Sequence, residues 1–341
     1  MAAVRAERTL ALGLPKVGHL IGQGANVAGK LLVDDIGIPH ALLSGGELRQ
    51  SLITRETAAK LLPARARDVH KGTCGRILIL AGSLGMTGAA ALAAEAALRV
   101  GAGVVTLAVP ERIYPVLAAK LTEVMVMPVP DEGTGRFGGL KALESALALA
   151  AQADAVLIGP GLGRAAETSE FVRLFAADVK APLVMDADAI YAFRGAPDAL
   201  RELPQVPILT PHLGEFAGLL AKATDEVAGD LLNMARAAAK EHQAVFVIKS
   251  ACTIVVYPDG DAFFTTVGNA GMATAGAGDV LAGAITGLMR QMESGMTPIV
   301  GVYAHGRAGD LAYEYNGNGL VAGDILELLP RALKELTNTT V

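Results

Sequence analysis

The run Gly268-Asn269-Ala270-Gly271-Met272-Ala273-Thr274-Ala275-Gly276-Ala277-Gly278-Asp279 sets a carboxylate at the end of twelve residues almost without bulk. Small residues let a backbone approach a phosphate, and the unpaired N–H groups of a helix start present partial positive charge to it. The chemistry on offer is anion binding beside a carboxylate. An isolated Gly-Asp before an apolar helix is usually just an N-cap. A cap needs far less glycine and alanine than this run carries, so the functional reading prevails. Other polar, Gly-rich stretches are Gly82–Ala90, Gly159–Gly163, Met185–Ala189, Leu209–Phe216 with His212 and Glu215, and Lys249–Thr253. Each has an ordinary reading on its own: a strand-to-loop turn, a hydrogen-bonded structural histidine, a surface lysine at a strand end.

These stretches sit where strands should end. Segments rich in Val, Ile and Leu alternate with Ala-rich helical ones from about Gly75 onward, the pattern of a mainly parallel sheet covered on both faces. The expected strands are Arg76–Leu80, Val104–Val109, Ala155–Ile158, Leu183–Asp186, Ile208–Thr210, Val245–Lys249 and Thr253–Tyr257. In open α/β sheets ligands bind beyond the carboxyl ends of the strands, so one cleft can gather the motifs. Helices are expected at Ala89–Arg99 and Asp279–Met292. In the second, Val280, Ala284 and Leu288, with Leu281, Ile285 and Met289, give one broad apolar face. Residues 1–45 hold short apolar pieces spaced by Gly and Pro that cannot bury a core alone, and residues 46–70, with Glu47, Arg49, Arg55, Glu56 and Lys60, read as a helical connector.

Composition narrows the function classes. The chain has 341 residues, 52% hydrophobic, 4% aromatic, with 40 glycines, which supports a large α/β core packed from small side chains. A net charge of −5 with scattered Lys and Arg leaves no footprint for nucleic acid. Cys74 and Cys252 form no CxxC pair, which argues against a disulfide framework or a structural zinc site. No apolar run reaches the roughly 20 residues that cross a bilayer. The opening residues Met1 to Arg8 carry no secretory pattern, so a cytoplasmic, membrane-free protein is expected.

Gly276-Ala277-Gly278-Asp279 resembles the anion-hole motif of ribokinase-like enzymes, and the longer run resembles the form found in NAD(P)H-hydrate dehydratases. His70–Arg76 leading into Gly82–Ala90 is similar to that family's first strand and loop. Gly159–Gly163, Met185–Ala189, Leu209–Phe216 and Tyr303–Asp310 follow in family order, so the resemblance covers roughly residues 65–335. It implies a ribokinase-like three-layer α/β/α fold over 71–341 and ADP- or ATP-dependent dehydration of hydrated NADH or NADPH, with Mg²⁺, in a homo-oligomer, commonly a tetramer. The bifunctional-type leader tilts the donor toward ADP. Asp279 becomes the catalytic group. Ala90, Gly161, His212 and Asp279 are assigned to substrate. Lys249, Ser250, Ala251, Cys252, Thr253, Asn269, Ala275, Gly276, Ala277 and Gly278 are assigned to nucleotide, and Glu215 to Mg²⁺ through water.

His212-Leu213-Gly214-Glu215 has the dehydratase form where related kinases carry Asn-x-x-Glu, and Ser250 replaces the usual Gly of the nucleotide loop. If that Gly has positive φ, Ser250 is strained. His305 and Asp310 read as packing and capping residues. Gly13–Gly18 and Asp34–Pro39 resemble the end of an NAD(P)H-hydrate epimerase domain, and no epimerase activity is expected from that remnant. The rival readings are a small-molecule kinase of the same fold and a nucleotide-binding regulator without turnover.

Overall fold

In the strand Arg76–Leu80, Ile77 and Ile79 enter one hydrophobic cluster while Leu78 and Leu80 enter another. In Val245–Ile248, Val245 and Val247 part in the same way from Phe246 and Ile248. Successive side chains of a strand point to opposite faces. A sheet that is apolar on both faces must be covered on both, which is the three-layer arrangement expected from the alternation of strand and helix.

The computed structural model describes residues 3–43 and 48–337. Its strands are β1 Arg8–Leu12, β2 Lys30–Asp34, β3 Gln50–Ile53, β4 Arg76–Leu80, β5 Val104–Pro110, β6 Met125–Val129, β7 Ala155–Ile158, β8 Leu183–Met185, β9 Ile208–Leu209, β10 Val245–Ile248, β11 Ile254–Val256 and β12 Ala262–Thr265. Ten of them form one sheet in the order β3-β12-β11-β10-β9-β8-β7-β4-β5-β6, and only the β10–β11 and β11–β12 pairings are antiparallel. All seven expected strands form, with ends shifted by at most two residues. The unforeseen β6 is an edge strand containing Pro128, tolerated where no second neighbour needs its N–H.

Residues 46–70 are not simply a helical connector. Gln50–Ile53 joins the main sheet as an edge strand parallel to β12, and the Ile53 side chain is fully buried. The helix Arg55–Leu61 follows, capped by the Thr54 hydroxyl on the Thr57 amide. The α/β core therefore begins upstream of residue 71. The expected boundary at residues 45 and 46, and Glu47, lie outside the described residues. Nearer the N-terminus, β1 and β2 pair in parallel as a separate two-stranded sheet that leaves Leu10, Leu12 and Val33 exposed.

The helix after the Gly-rich run also departs from expectation. It spans Ala277–Leu288, and every residue from Val280 to Leu288 is buried, so it has no solvent face. It packs on the sheet flanked by the helices Thr87–Arg99 and Thr297–Asn316, which touch the sheet themselves. Its approach to Thr87–Arg99 is backbone to backbone. A Cβ at Gly283 would lie 2.1 Å from the Ala93 carbonyl oxygen, and one at Gly287 would lie 2.6 Å from that of Ala97. Facing small residues one turn apart let these two helices touch and fix where the Ala277 end points. Gly283→Ala has no room without separating the helices, and should lower stability by about 1–3 kcal/mol in urea unfolding, with loss of nucleotide binding in proportion to the displaced helix start.

Candidate active site

Beyond the carboxyl ends of β9 and β10, a cleft of about 600 Å³ is lined by residues of the Lys249–Thr253 loop, the Gly268–Thr274 turn, the start of the Ala277–Leu288 helix, and His212 and His305. Three of the motif stretches, those of His212, Lys249–Thr253 and Gly268–Asp279, meet there, whereas Ser83, Leu84, Met86, Leu162 and Gly163 of the Gly82–Ala90 and Gly159–Gly163 stretches line a separate hollow; parallel strands deliver their carboxyl ends to one edge of the sheet.

Gly276, not Asp279, is the N-cap of the central helix, with φ +91° and space for a Cβ denied by Leu92 Cδ1 at 2.6 Å. Asp279 thus sits in the first turn. Among the described residues no donor is hydrogen-bonded to its carboxylate. Burial raises its pKa to about 7, with Asp186, Asp188 and Glu215 pushing the same way and Lys249 opposing. A half-buried carboxyl titrating near neutrality is suited to accepting a proton.

Lys249 is not a surface lysine. Its Nζ donates to Asp186 Oδ1 at 2.8 Å, with the lysine side chain 20% exposed and the aspartate 1%. Desolvation would lower the lysine pKa, but the charges of Asp186, Glu215 and Asp279 outweigh it and the net direction is upward. A Cβ on Gly278 would lie 3.0 Å from Nζ, which places the ammonium against the helix start. A parallel bridge to His212 and the hydrogen bond that the Lys249 amide donates to the Pro211 carbonyl at 2.8 Å hold the backbone there.

His212 is the N-cap of the helix Leu213–Leu219. Its Nδ1 accepts from the Gly214 and Glu215 amides at 3.0 and 3.2 Å, and Glu215 Oε2 accepts from the His212 amide at 2.9 Å. Imidazole nitrogen does here what an Asn side-chain oxygen does in a cap. The proton is therefore on Nε2, 3.5 Å from Glu215 Oε1, and the ring lines the cleft.

The remaining nucleotide candidates divide. Ser250, Ala251, Thr253, Asn269, Ala277 and Gly278 line the cleft, whereas Cys252, Ala275 and Gly276 are not among its lining residues. Cys252 points inward, its Sγ donating to the Thr265 carbonyl at 3.3 Å, and burial pushes the thiol up to about 12. Both cysteines are free and buried. Ser250 is not among the positive-φ residues, so the expected strain does not arise; its hydroxyl donates to the Cys252 carbonyl at 2.6 Å. Ala90 is fully buried, its methyl packed under Gly82, and is not among the lining residues of the cleft. Gly161, at φ +64°, packs against Met86 and accepts at its carbonyl from Ser83 Oγ at 2.8 Å.

Asp310 lies inside the helix Thr297–Asn316 and braces a loop instead of capping a helix. It accepts from the Gly268 amide and from Asn269 Nδ2, and so shapes the turn that enters the run. His305 does more than pack. It lines the cleft and donates from Nε2 to the Ala277 carbonyl at 2.9 Å, and burial lowers its pKa to about 4, which keeps it neutral.

Sequence reasoning assigned no role to Asp186, Asp188 or Thr210. Thr210 Oγ1 donates to Asp186 Oδ1 at 2.6 Å, and Asp188 accepts from the Gly163 amide and from Arg164 Nε. Ala187 between them has φ +47°, a left-handed backbone at a non-glycine residue, which turns the two carboxylates apart. The available signal was two aspartates at the end of a buried strand.

Residues 77–331 match the NAD(P)H-hydrate dehydratase family. The chain belongs to that family. It is 41% identical over 335 residues to a bifunctional NAD(P)H-hydrate repair enzyme of Moorella thermoacetica, covering 98% of this chain and 63% of the relative. The chain thus spans a little under two thirds of the length of such relatives. Among solved structures it is similar to an ADP/ATP-dependent NAD(P)H-hydrate dehydratase from Bacillus subtilis co-crystallised with ATP and Mg²⁺, at 30% identity and TM-score 0.72 over 84% of this chain and 98% of that one. It is equally similar to a ribokinase-like superfamily protein from Enterococcus faecalis, at 27% identity and TM-score 0.73 over 85% and 97%. The fold is ribokinase-like.

Lys249 is the ammonium that balances this group of carboxylates. Lys249→Met should lower stability by about 3 kcal/mol in urea unfolding, because Asp186 is left buried and uncompensated. Adding Asp186→Asn to that variant should recover most of the loss.

Proposed function

We propose that the chain uses ADP or ATP to dehydrate (S)-hydrated NADH or NADPH and restore the reduced dinucleotide. The observation that carries this reading is the Asp279 carboxyl, titrating at about 7 beside the free amides of a helix start. The family supplies the substrate class. Hydroxide is a poor leaving group, and phosphate is a good one. The substrate hydroxyl oxygen attacks the terminal phosphorus of the nucleotide, the bond to the nucleotide's bridging oxygen breaks, and the hydroxyl proton passes to Asp279. The carbon–oxygen bond then breaks, phosphate leaves with the electron pair, and the ring nitrogen lone pair fills the vacancy. Loss of a proton from the adjacent carbon restores the double bond.

The residues divide this work by position. The Gly278 amide and the Lys249 ammonium stabilise charge on the transferring group. Ser250, Ala251, Thr253 and Asn269, with Cys252 and Ala275–Gly276 behind them, form the nucleotide side of the cleft. His212, at the cleft wall, is assigned to the dinucleotide side together with Gly161 and Ala90, which lie outside the cleft lining. Within the cleft, among the described residues, no three carboxylate or imidazole groups converge tightly enough to cage a metal. Glu215, with oxygens bonded to its own helix cap, fits a hydrated Mg²⁺ held through water and nucleotide phosphates. When bound, Mg²⁺ neutralises phosphate charge. A homotetramer in the cytoplasm belongs to the same proposal and is supported by the family resemblance; among the described residues no helix is long and apolar enough to cross a membrane.

Incubation with hydrated NADH, Mg²⁺ and either nucleotide should restore dihydronicotinamide absorbance, with ADP the better donor. Stable phosphate ester without restored absorbance would establish the kinase instead. Asp279→Asn should reduce turnover by about 10²- to 10⁴-fold with nucleotide affinity retained. Since Asp279 must be ionised to accept a proton, kcat/KM should fall as pH drops through about 7, and a profile flat down to pH ~5, near the ordinary carboxyl range, would contradict that role.

A further inference from the structure

At the amino ends of β9 and β10, on the opposite edge of the sheet from the cleft, the helix Leu231–His242 ends against the short 3-10 helix Pro197–Glu202. There one ligand atom each from Asp198, Glu241 and His242 lie within 4.8 Å of one another. His242 is 5% exposed, and its Nδ1 is a buried polar atom with no hydrogen-bond partner. A buried ring nitrogen without a partner is costly and rare. Asp198 Oδ1 is 3.3 Å from Nδ1, a contact that lacks hydrogen-bond geometry, while the aspartate side chain is 75% exposed.

We infer that Asp198, Glu241 and His242 form a site for a divalent transition metal ion of zinc's character, which joins the end of the Leu231–His242 helix to the Pro197–Glu202 turn. One imidazole and two carboxylates are a donor set that zinc accepts. Two ligands at zinc's bond lengths of about 2.0–2.1 Å, at tetrahedral corners, stand roughly 3.3–3.4 Å apart. The Asp198–His242 separation already has that value. Glu241, whose side chain is exposed, has a carboxylate oxygen within 4.8 Å of both other ligand atoms. Electrostatics favour the ion as well. Glu241 lies in the last turn of its helix, where the carbonyl ends of the peptide dipoles repel a carboxylate and attract a cation. Because the site is remote from the cleft, the ion is structural, and the inference is independent of the proposed reaction.

Metal-stripped full-length protein, free of nucleotide, is dialysed against zinc. A single saturable zinc ion per chain is expected, with a thermal midpoint that climbs as zinc is raised. Asp198→Asn and His242→Gln should each weaken zinc binding by at least about tenfold and abolish the thermal shift. Asp198 is exposed, so its variant carries the test even if the buried His242 variant folds poorly. No saturable zinc in the parent, as a plain His–Asp ion pair would give, overturns the inference. So do binding and thermal shift unchanged in the Asp198 variant.

Discussion

One ammonium among several carboxylates governs the site. Lys249 pairs with the fully buried Asp186 and feels the charges of Glu215 and Asp279. The lysine stays charged because its neighbours are negative, and Asp279 stays hard to ionise because it is largely buried and because most of its charged neighbours are negative too. The same cluster therefore holds a fixed cation beside a carboxyl whose affinity for a proton lies near neutral pH. Neither property belongs to either residue alone.

That cluster needs a helix start held against it, and the helix is held by the absence of side chains. Gly283 and Gly287 let the central helix rest on the backbone of Ala93 and Ala97. Gly276 lets the chain turn into the helix beneath Leu92. His305 grips the Ala277 carbonyl from the neighbouring helix. The high glycine and low aromatic content of the chain is a packing solution of this kind, in which short interhelix distances replace large interlocking side chains.

The family relation and the geometry support one another at particular residues. His212 in place of Asn could have signified a reactant. In the structure its ring first caps a helix through Nδ1 and only then offers Nε2–H to the cleft. Ser250 in place of Gly could have signified a damaged loop. Its backbone avoids positive φ, and the loop closes through its hydroxyl instead. Departures from a motif thus keep the local backbone requirement by other chemical means.

The sequence by itself determined the class of fold, the strands that carry the motif loops and the close backbone approach of the Gly268–Asp279 run. Those follow from local periodicity and from residues too small for anything but close backbone approach. It did not reveal that Gln50–Ile53 belongs to the main sheet, since a four-residue edge strand becomes a strand only by pairing with β12, more than two hundred residues later. Nor did it reveal that the central helix is buried on every side from Val280 to Leu288, since it read as one-sided. The pairing of Lys249 with Asp186, the ionisation of Asp279 and the inward turn of Cys252 were likewise decided by tertiary structure. Charge and burial are sums over neighbours brought from distant parts of the chain, and no window of sequence contains them.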